Sequence, residues 1–306
     1  RFWYEVDKNS ISFDSKSISD SLVSGKKWFP YNKGGEYRKW YGNNDYVVNW
    51  KNDGEEIRNF KDEKGKQRSV IRNPGYYFHS CITWSKISSG SMAFRYKPEG
   101  HIFDVAGTSV FADKPLLWYL QGFCNSNVAL AIGNMISPTL NYEVGHIASF
   151  PIIRNSDSEA NDSKMVQQNV RESKNEWDSY EVSWDFLRDP LVSSCSDGRI
   201  SSSFELLRNK MKTSFDSVKT NEEGINSLLI DLYGLSDEMS PAVTDDRITI
   251  RIPTKESAIK NLIQYSVGCM FGRYSLDNNG LIYAGGKFDF FKYEKYKVDV
   301  DNIIPI

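Results

Sequence analysis

The chain has 306 residues, 40% hydrophobic and 14% aromatic, with a net charge of −2. Eight Trp with 17 each of Tyr and Phe exclude a disordered chain and can fill two sizeable cores, since domains run to about 100–200 residues. No apolar run approaches the roughly 20 residues of a membrane-spanning helix, so no membrane partner is expected.

Charge is unevenly spread. Residues 1–153 hold 19 Lys and Arg against 15 Asp and Glu, and residues 154–306 hold 19 against 25. Within 26–97 the count is 15 basic against 7 acidic. A basic half joined to an acidic half predicts two domains with different partners, the basic one able to neutralise phosphates. An ordinary solvated surface is the competing reading. Cys81, Cys124, Cys195 and Cys269 are far apart, with no C-x-x-C pair, which fits a reducing cytoplasm and no zinc knuckle. His79, His101 and His146 lack metal-ligand spacing.

In chain order, residues 1–25 read as short strands and turns. Residues 26–50, "KKWFPYNKGGEYRKWYGNNDYVVNW", carry turn signals at Gly34-Gly35 and Gly42-Asn43-Asn44, and the aromatic and β-branched residues 46–50 predict a strand. A short helix is expected around 55–60, then a polar loop. Residues 76–96 read as strand broken at Ser88-Ser89-Gly90, and 101–111 as strand and turn. Residues 113–135 predict helix, with Pro115 in the first turn and a break at Asn125-Ser126. Residues 136–153 read as turn, strand and exit. The polar run 154–165, "RNSDSEANDSKM", reads as a linker between domains 1–153 and 166–306. Beyond it, Phe204, Met211, Val218, Ile225 and Leu232 recur every seven residues, predicting helix over 204–235, in one piece or broken at Gly224. Residues 257–274 predict a further helix. The fold class expected is α+β: a mixed α/β domain, then a mainly helical one.

Catalytic signatures are scarce. The sequence holds no G-x-x-x-x-G-K-[ST], no G-x-G-x-x-G behind a strand and no G-x-S-x-G. Asn73-Pro74-Gly75-Tyr76 is one residue away from the Asn-Pro-Pro-Tyr loop of enzymes that methylate exocyclic amino groups of DNA bases. There a flipped base is held by acceptors and stacked on an aromatic ring. Gly75 would loosen that loop, and residues 1–72 offer no βαβ run to hold a methyl donor. A plain turn before a strand is the preferred reading.

"KKWFPYNKGGEYRKWYGNNDYVVNWKNDGEEIRNF" resembles the region after the catalytic domain in the PglX family, the large adenine methyltransferases of BREX phage-defence systems. "YYFHSCITWSKISSGSMAFRYKPEGHIFDVAGTSVF", "WDSYEVSWDF" and "SVGCMFGRYSLDNNGLIYAGG" continue the resemblance. "ISPTLNYEVGHIASFPI" is similar to the close of target-recognition domains. The resemblance implies DNA recognition for a parent enzyme that moves a methyl group from S-adenosylmethionine to adenine N6. It implies that the catalytic and cofactor loops lie upstream, so this piece has no catalytic residue or cofactor of its own. The Met-less start, Arg1-Phe2-Trp3-Tyr4, fits a piece of a longer protein, and the chain is expected to stop before the family's usual C-terminus. Expected partners are double-stranded DNA, the upstream methyltransferase domain and other BREX proteins. A specificity subunit of a type I restriction system and a protein-interaction module are the alternatives.

Base readout needs Arg, Lys, Asn or Gln at loop tips, and phosphate contact uses Lys, Arg, Ser and backbone N–H. The candidates are Lys26, Lys27, Tyr31, Asn32, Lys33, Arg38 and Lys39, then Lys86, Ser88, Ser89 and Arg95, then Asn141 and Tyr142. Arg72, beside the near-miss tetrapeptide, is a phosphate candidate. So is the loop bearing Lys61, Lys64, Lys66 and Arg68. Each has a structural counter-reading: core for Trp28 and Phe29, a plain hairpin turn for Ser88-Ser89, a corner for Asn141-Tyr142.

Overall fold

The computed structural model describes all residues except 87–90, 138–140, 196, 286 and 299–306; for 156–158 it describes the backbone alone. The elements run α1 (Ile18–Val23), β1 (Trp28–Asn32), β2 (Tyr46–Asn49), α2 (Lys51–Arg58), β3 (Cys81–Thr83), β4 (Arg95–Lys97), β5 (Ile102–Phe103) and β6 (Ser109–Val110). Then follow α3 (Lys114–Cys124), α4 (Asn127–Ile136), α5 (Val144–Ala148), α6 (Ser156–Trp177), α7 (Pro190–Ser193), α8 (Ile200–Leu232) and α9 (Lys255–Met270). The fold is α+β, with short strands in the first half and long helices in the second.

Two three-stranded sheets carry the first half, ordered β2-β1-β5 and β4-β3-β6. In the first, β1 pairs antiparallel with β2, Phe29 opposite Val48, and parallel with β5. Its apolar face, with Phe29, Trp50, Tyr77, Phe78 and Ile102, makes a small core that also receives Ile18 and Ile57 from α1 and α2. The second sheet is antiparallel, and its β3 packs against α3. Asn32 at the end of β1 joins the sheets: its side-chain amide donates to Thr83 Oγ1 at 2.7 Å and to the Gly107 carbonyl at 3.0 Å.

The expected break between α3 and α4 is present. Ser126 caps α4, its hydroxyl accepting from the Ala129 N–H at 3.1 Å. The regular part of α2 starts at Glu55, because Asn52, Asp53 and Gly54 all have left-handed backbone. Two strand expectations need correcting. Residues 144–148 are helical, and before β3 the chain makes a 3-10 turn at Pro74–Tyr76, so strand is confined to Cys81–Thr83.

The segment 154–165, expected as a linker, is helical from Ser156, in a helix that runs without interruption to Trp177. Its seam residues are Asp162, Val166, Asn169, Ser173 and Glu176, spaced alternately by four and three and all fully buried. That is the spacing of a helix-pairing seam, filled mostly with polar side chains. α8 is one helix of 33 residues. Phe204, Met211, Val218 and Ile225 are its buried stripe. The two helices are antiparallel: Asn169 Oδ1 accepts from Asn221 at 2.9 Å, Gln168 donates to Ser217 at 2.8 Å, and Ser214 donates to Glu172 at 2.6 Å. Gly224 does not break α8. A Cβ there would stand 3.0 Å from Met165 Sδ, so the missing side chain lets the helices close together. The largest apolar cluster spans both sides of the expected boundary, taking Trp40, Ile82, Phe94 and Phe123 with Val166, Phe215, Ile225 and Ile250.

Candidate nucleic-acid interface

The loop 26–45 was expected to present Arg38 and Lys39 to DNA. The structure turns both inward. Arg38 is buried and donates to Glu176 of α6, to the Tyr41 carbonyl at 2.7 Å and, through Nη2, to the Ser173 carbonyl at 3.4 Å. Its guanidinium lies over the Trp177 ring at 4.9 Å. Arg251 reaches the other oxygen of Glu176 at 2.6 Å. Lys39 is buried and pairs with Glu222 of α8 at 2.6 Å, while Trp40 Nε1 donates to the second Glu222 oxygen at 2.7 Å. A charge removed from water is tolerable only when paired in this way.

Backbone geometry fixes the turn. Trp40 is left-handed at φ 69° and is held by Trp40 N–H to Phe94 O at 2.9 Å and Tyr96 N–H to Trp40 O at 2.7 Å. Gly42, at φ +125°, lies where a Cβ would be 2.3 Å from Arg38 Nε and 2.9 Å from the Trp177 ring. Gly34 lets the chain approach itself, not an outside ligand: a Cβ there would meet the Ala106 carbonyl at 2.8 Å.

Arg95 and Lys97, on β4, complete the buried cations. Arg95 donates to the Arg38 carbonyl at 3.2 Å and to Ser85 Oγ at 3.1 Å; burial, with the charge of Arg38 beside it, pushes it down to about 10. Lys97 donates to the carbonyls of Gly42 at 2.9 Å and Asn43 at 3.0 Å and to Asn44 Oδ1. Burial pushes its ammonium down to about 7. The buried imidazole of His101 is pushed down to about 3 for the same reason.

The other candidates scatter. Asn32 and Tyr142 are buried, Tyr142 with its carbonyl accepting from Trp84 Nε1 at 2.8 Å. Tyr31 is half-buried within β1, and burial together with Asp104 raises its phenol. Asn141 is half-buried and donates to Glu143 at 3.2 Å. As accessible readers, Arg38, Lys39, Arg95, Asn32 and Tyr142 are therefore corrected: all five are buried inside the protein. Ser88 and Ser89 lie outside the described residues. Lys26 donates to the Asn9 carbonyl at 2.5 Å, Lys27 lies 3.6 Å from Glu56, and Lys86 pairs with Glu143 at 2.9 Å. Lys33 is exposed with its ammonium 4.7 Å from the Tyr46 ring centroid.

What remains in water is the loop after α2. Lys61, Lys64, Lys66, Arg68 and Arg72 are all exposed. Lys61 bridges to Gln67, Arg68 N–H donates to Phe60 O at 3.0 Å, and Gln67 Nε2 donates to Ile57 O at 3.3 Å, so the loop folds back onto α2 as a short hairpin. Arg68 pairs with Asp62 at 3.1 Å. Lys61, Lys64, Lys66 and Arg72 make no ion pair among the described residues. Three unpaired cations on one short hairpin, with Arg72 four residues beyond Arg68, can each neutralise a phosphate. Beside them, Asn73 is left-handed at φ 50° and the Tyr76 ring lies tilted against Phe111, centroids 4.9 Å apart. That local chemistry is a turn with an exposed ring. Among the described residues, no group of His, Cys, Asp and Glu is placed to hold a metal ion, and no helix is long and apolar enough to cross a membrane.

No protein-family model matches the chain. It is 38% identical over 310 residues to the adenine-specific methyltransferase PglX of Lacticaseibacillus casei (strain Zhang), an alignment covering 99% of the chain and 26% of that relative. It is 31% identical over 332 residues to the adenine-specific methyltransferase BrxX of Escherichia coli O9:H4 (strain HS), covering 100% of the chain and 26% of the relative. The chain is thus homologous, along essentially its whole length, to about a quarter of each of these adenine-specific methyltransferases.

Proposed function

We propose that this chain is the DNA target-recognition and C-terminal segment of a PglX-like adenine-specific methyltransferase of a BREX phage-defence system, working in the cytoplasm. The observation that carries the reading is the similarity itself: the whole chain aligns with a quarter of two such enzymes. Duplex DNA is the partner, and the exposed hairpin with Lys61, Lys64 and Lys66 supplies phosphate contacts, joined by Arg72 just beyond it, by Lys33 and by the loosely paired Lys27. The buried pairs Arg38–Glu176 and Lys39–Glu222 position that surface by fixing the strand-rich half on α6 and α8. S-adenosylmethionine does not fit the described residues. Their sheets have three strands each, and no Gly-rich loop leads from a strand into a helix. The donor and the transfer step belong to the remainder of the longer protein.

A type I specificity subunit shares one feature with this chain, a pair of long antiparallel helices, α6 and α8. It also carries a second recognition domain, and only one such domain is visible among the described residues, which counts against that reading. Mapping N6-methyladenine in DNA from cells with and without the gene tests the proposal. The expected result is one short asymmetric sequence methylated only when the gene is present. Identical maps would refute it.

A further inference from the structure

Helix α9 has two apolar faces. Ala258, Leu262, Tyr265 and Cys269 form the face packed into the chain. Ile259, Ile263, Val267 and Phe271 form a second row, spaced by four, and stand 49%, 58%, 37% and 40% exposed. That spacing puts the four on one stripe. A helix apolar on two sides is ordinarily covered on both, whereas isolated exposed apolar residues need no explanation. The stripe runs between two depressions. At its start, Ile259 lines one of about 290 Å³ with Ile200 and Phe204. At its end, Val267 and Phe271 line one of about 490 Å³ with Tyr4 and Val182. Ridge and hollows together form the kind of apolar surface that marks a contact.

The relatives say what is missing around it. Essentially all of this chain aligns with only 26% of each, so nearly three quarters of a relative's polypeptide lies outside the aligned segment. A partner on the same polypeptide meets the stripe at high effective concentration and forms an interface of ordinary inter-domain size. We propose that the α9 stripe is the docking face for the remainder of that longer polypeptide, which presents an apolar surface to Ile259, Ile263, Val267 and Phe271. This rests on the reading of the chain as a segment of a larger methyltransferase. It adds that α9, far in sequence from the basic hairpin, is where the recognition part is held to the rest.

The test is site-directed labelling. Ile263→Cys is introduced with the exposed Cys195 replaced by Ser, and maleimide labelling at position 263 is followed by peptide mapping. The measurement is made in this chain alone and in the full-length protein that the gene encodes. The expected result is labelling at least about tenfold slower in the full-length protein, as for any group reached only by local opening. In parallel, Ile263→Lys should lower the Tm of the full-length protein by several degrees while shifting that of the chain alone by about 1 °C or less. Equal labelling rates, or an unchanged full-length Tm, would overturn the proposal. So would a dimer of the chain alone that Ile263→Lys dissociates, because the stripe would then belong to a second copy. If the gene encodes no longer protein, the underlying reading fails, and that outcome is distinct from failure of the docking face.

Discussion

Arg38, Lys39, Arg95 and Lys97 are the same residue types as Lys61, Lys64, Lys66 and Arg72, yet the first four are buried and the second four stand in water. The difference lies in what surrounds each set. The first set sits in strands and turns whose neighbours are Trp and Phe, with Glu176 and Glu222 delivered from helices far along the chain. The second set sits in a stretch with few apolar residues, where nothing draws it inward. Local charge in a sequence therefore measures two quantities together, the surface field and the internal pairing. Of the 15 basic residues in 26–97, these four are buried and bonded within the fold.

The comparison can be broken most forcefully at Glu222. Glu222→Ala strands the Lys39 ammonium in the core and leaves Trp40 Nε1 without its acceptor, and removing one partner of a buried pair costs about 3–5 kcal/mol. Urea unfolding should show that loss. A change below about 1 kcal/mol would mean that Lys39 reaches water after all.

A second effect belongs to α6. Burial lifts the Asp162 carboxyl to about 7, from an ordinary value of 3.8, and neither of its oxygens has a hydrogen-bond partner among the described residues. The folded value is the raised one, so the folded state binds the extra proton. The stability that Asp162 contributes is greatest below about pH 4 and is lost as the pH climbs through 7. With about 3 pH units between the two states, the loss approaches 4 kcal/mol at its ceiling, roughly 1.4 kcal/mol per unit. Asp162→Asn cannot ionise and should flatten that decline. Stability measured at pH 5 and pH 8 in both proteins decides it, and parallel declines would contradict it.

On the exposed side, Lys64→Ala, Lys66→Ala and Arg72→Ala should each leave stability within about 0.5 kcal/mol. Each should lower DNA affinity and reduce the slope of log affinity against log salt by about one. The smallest effect is at Gly75. Its backbone is not left-handed and an added Cβ meets open space, so Gly75→Ala should be neutral or stabilise by less than about 1 kcal/mol. Loss of folding would show that the tetrapeptide has a stricter role than a turn.

Much of the helical half was legible. The seven-residue recurrence of Phe204, Met211, Val218 and Ile225 is the buried stripe of α8, and Asn125-Ser126 is the break between α3 and α4. α6 was not legible, because its seam is built mostly from Asp162, Asn169, Ser173 and Glu176. An apolar-periodicity reading sees only a polar run there. The outward assignment of Arg38 and Lys39 failed for a related reason. Their partners lie 138 and 183 residues away, and no local pattern signals a pairing at that range. The hairpin at 61–68 was visible as a polar basic loop, but it drew less attention than the aromatic-rich stretch before it. Interleaved Trp and Tyr more often mark burial than readout, and here they did.

The central claim is that the basic hairpin, not the buried cluster, meets DNA. Its most direct test is the salt dependence of duplex binding by the chain and by its Lys61→Ala, Lys64→Ala, Lys66→Ala, Arg72→Ala quadruple variant. The account predicts a slope shallower by about three to four in the variant, with folding unchanged. Equal slopes and equal affinities in a folded quadruple variant would contradict it.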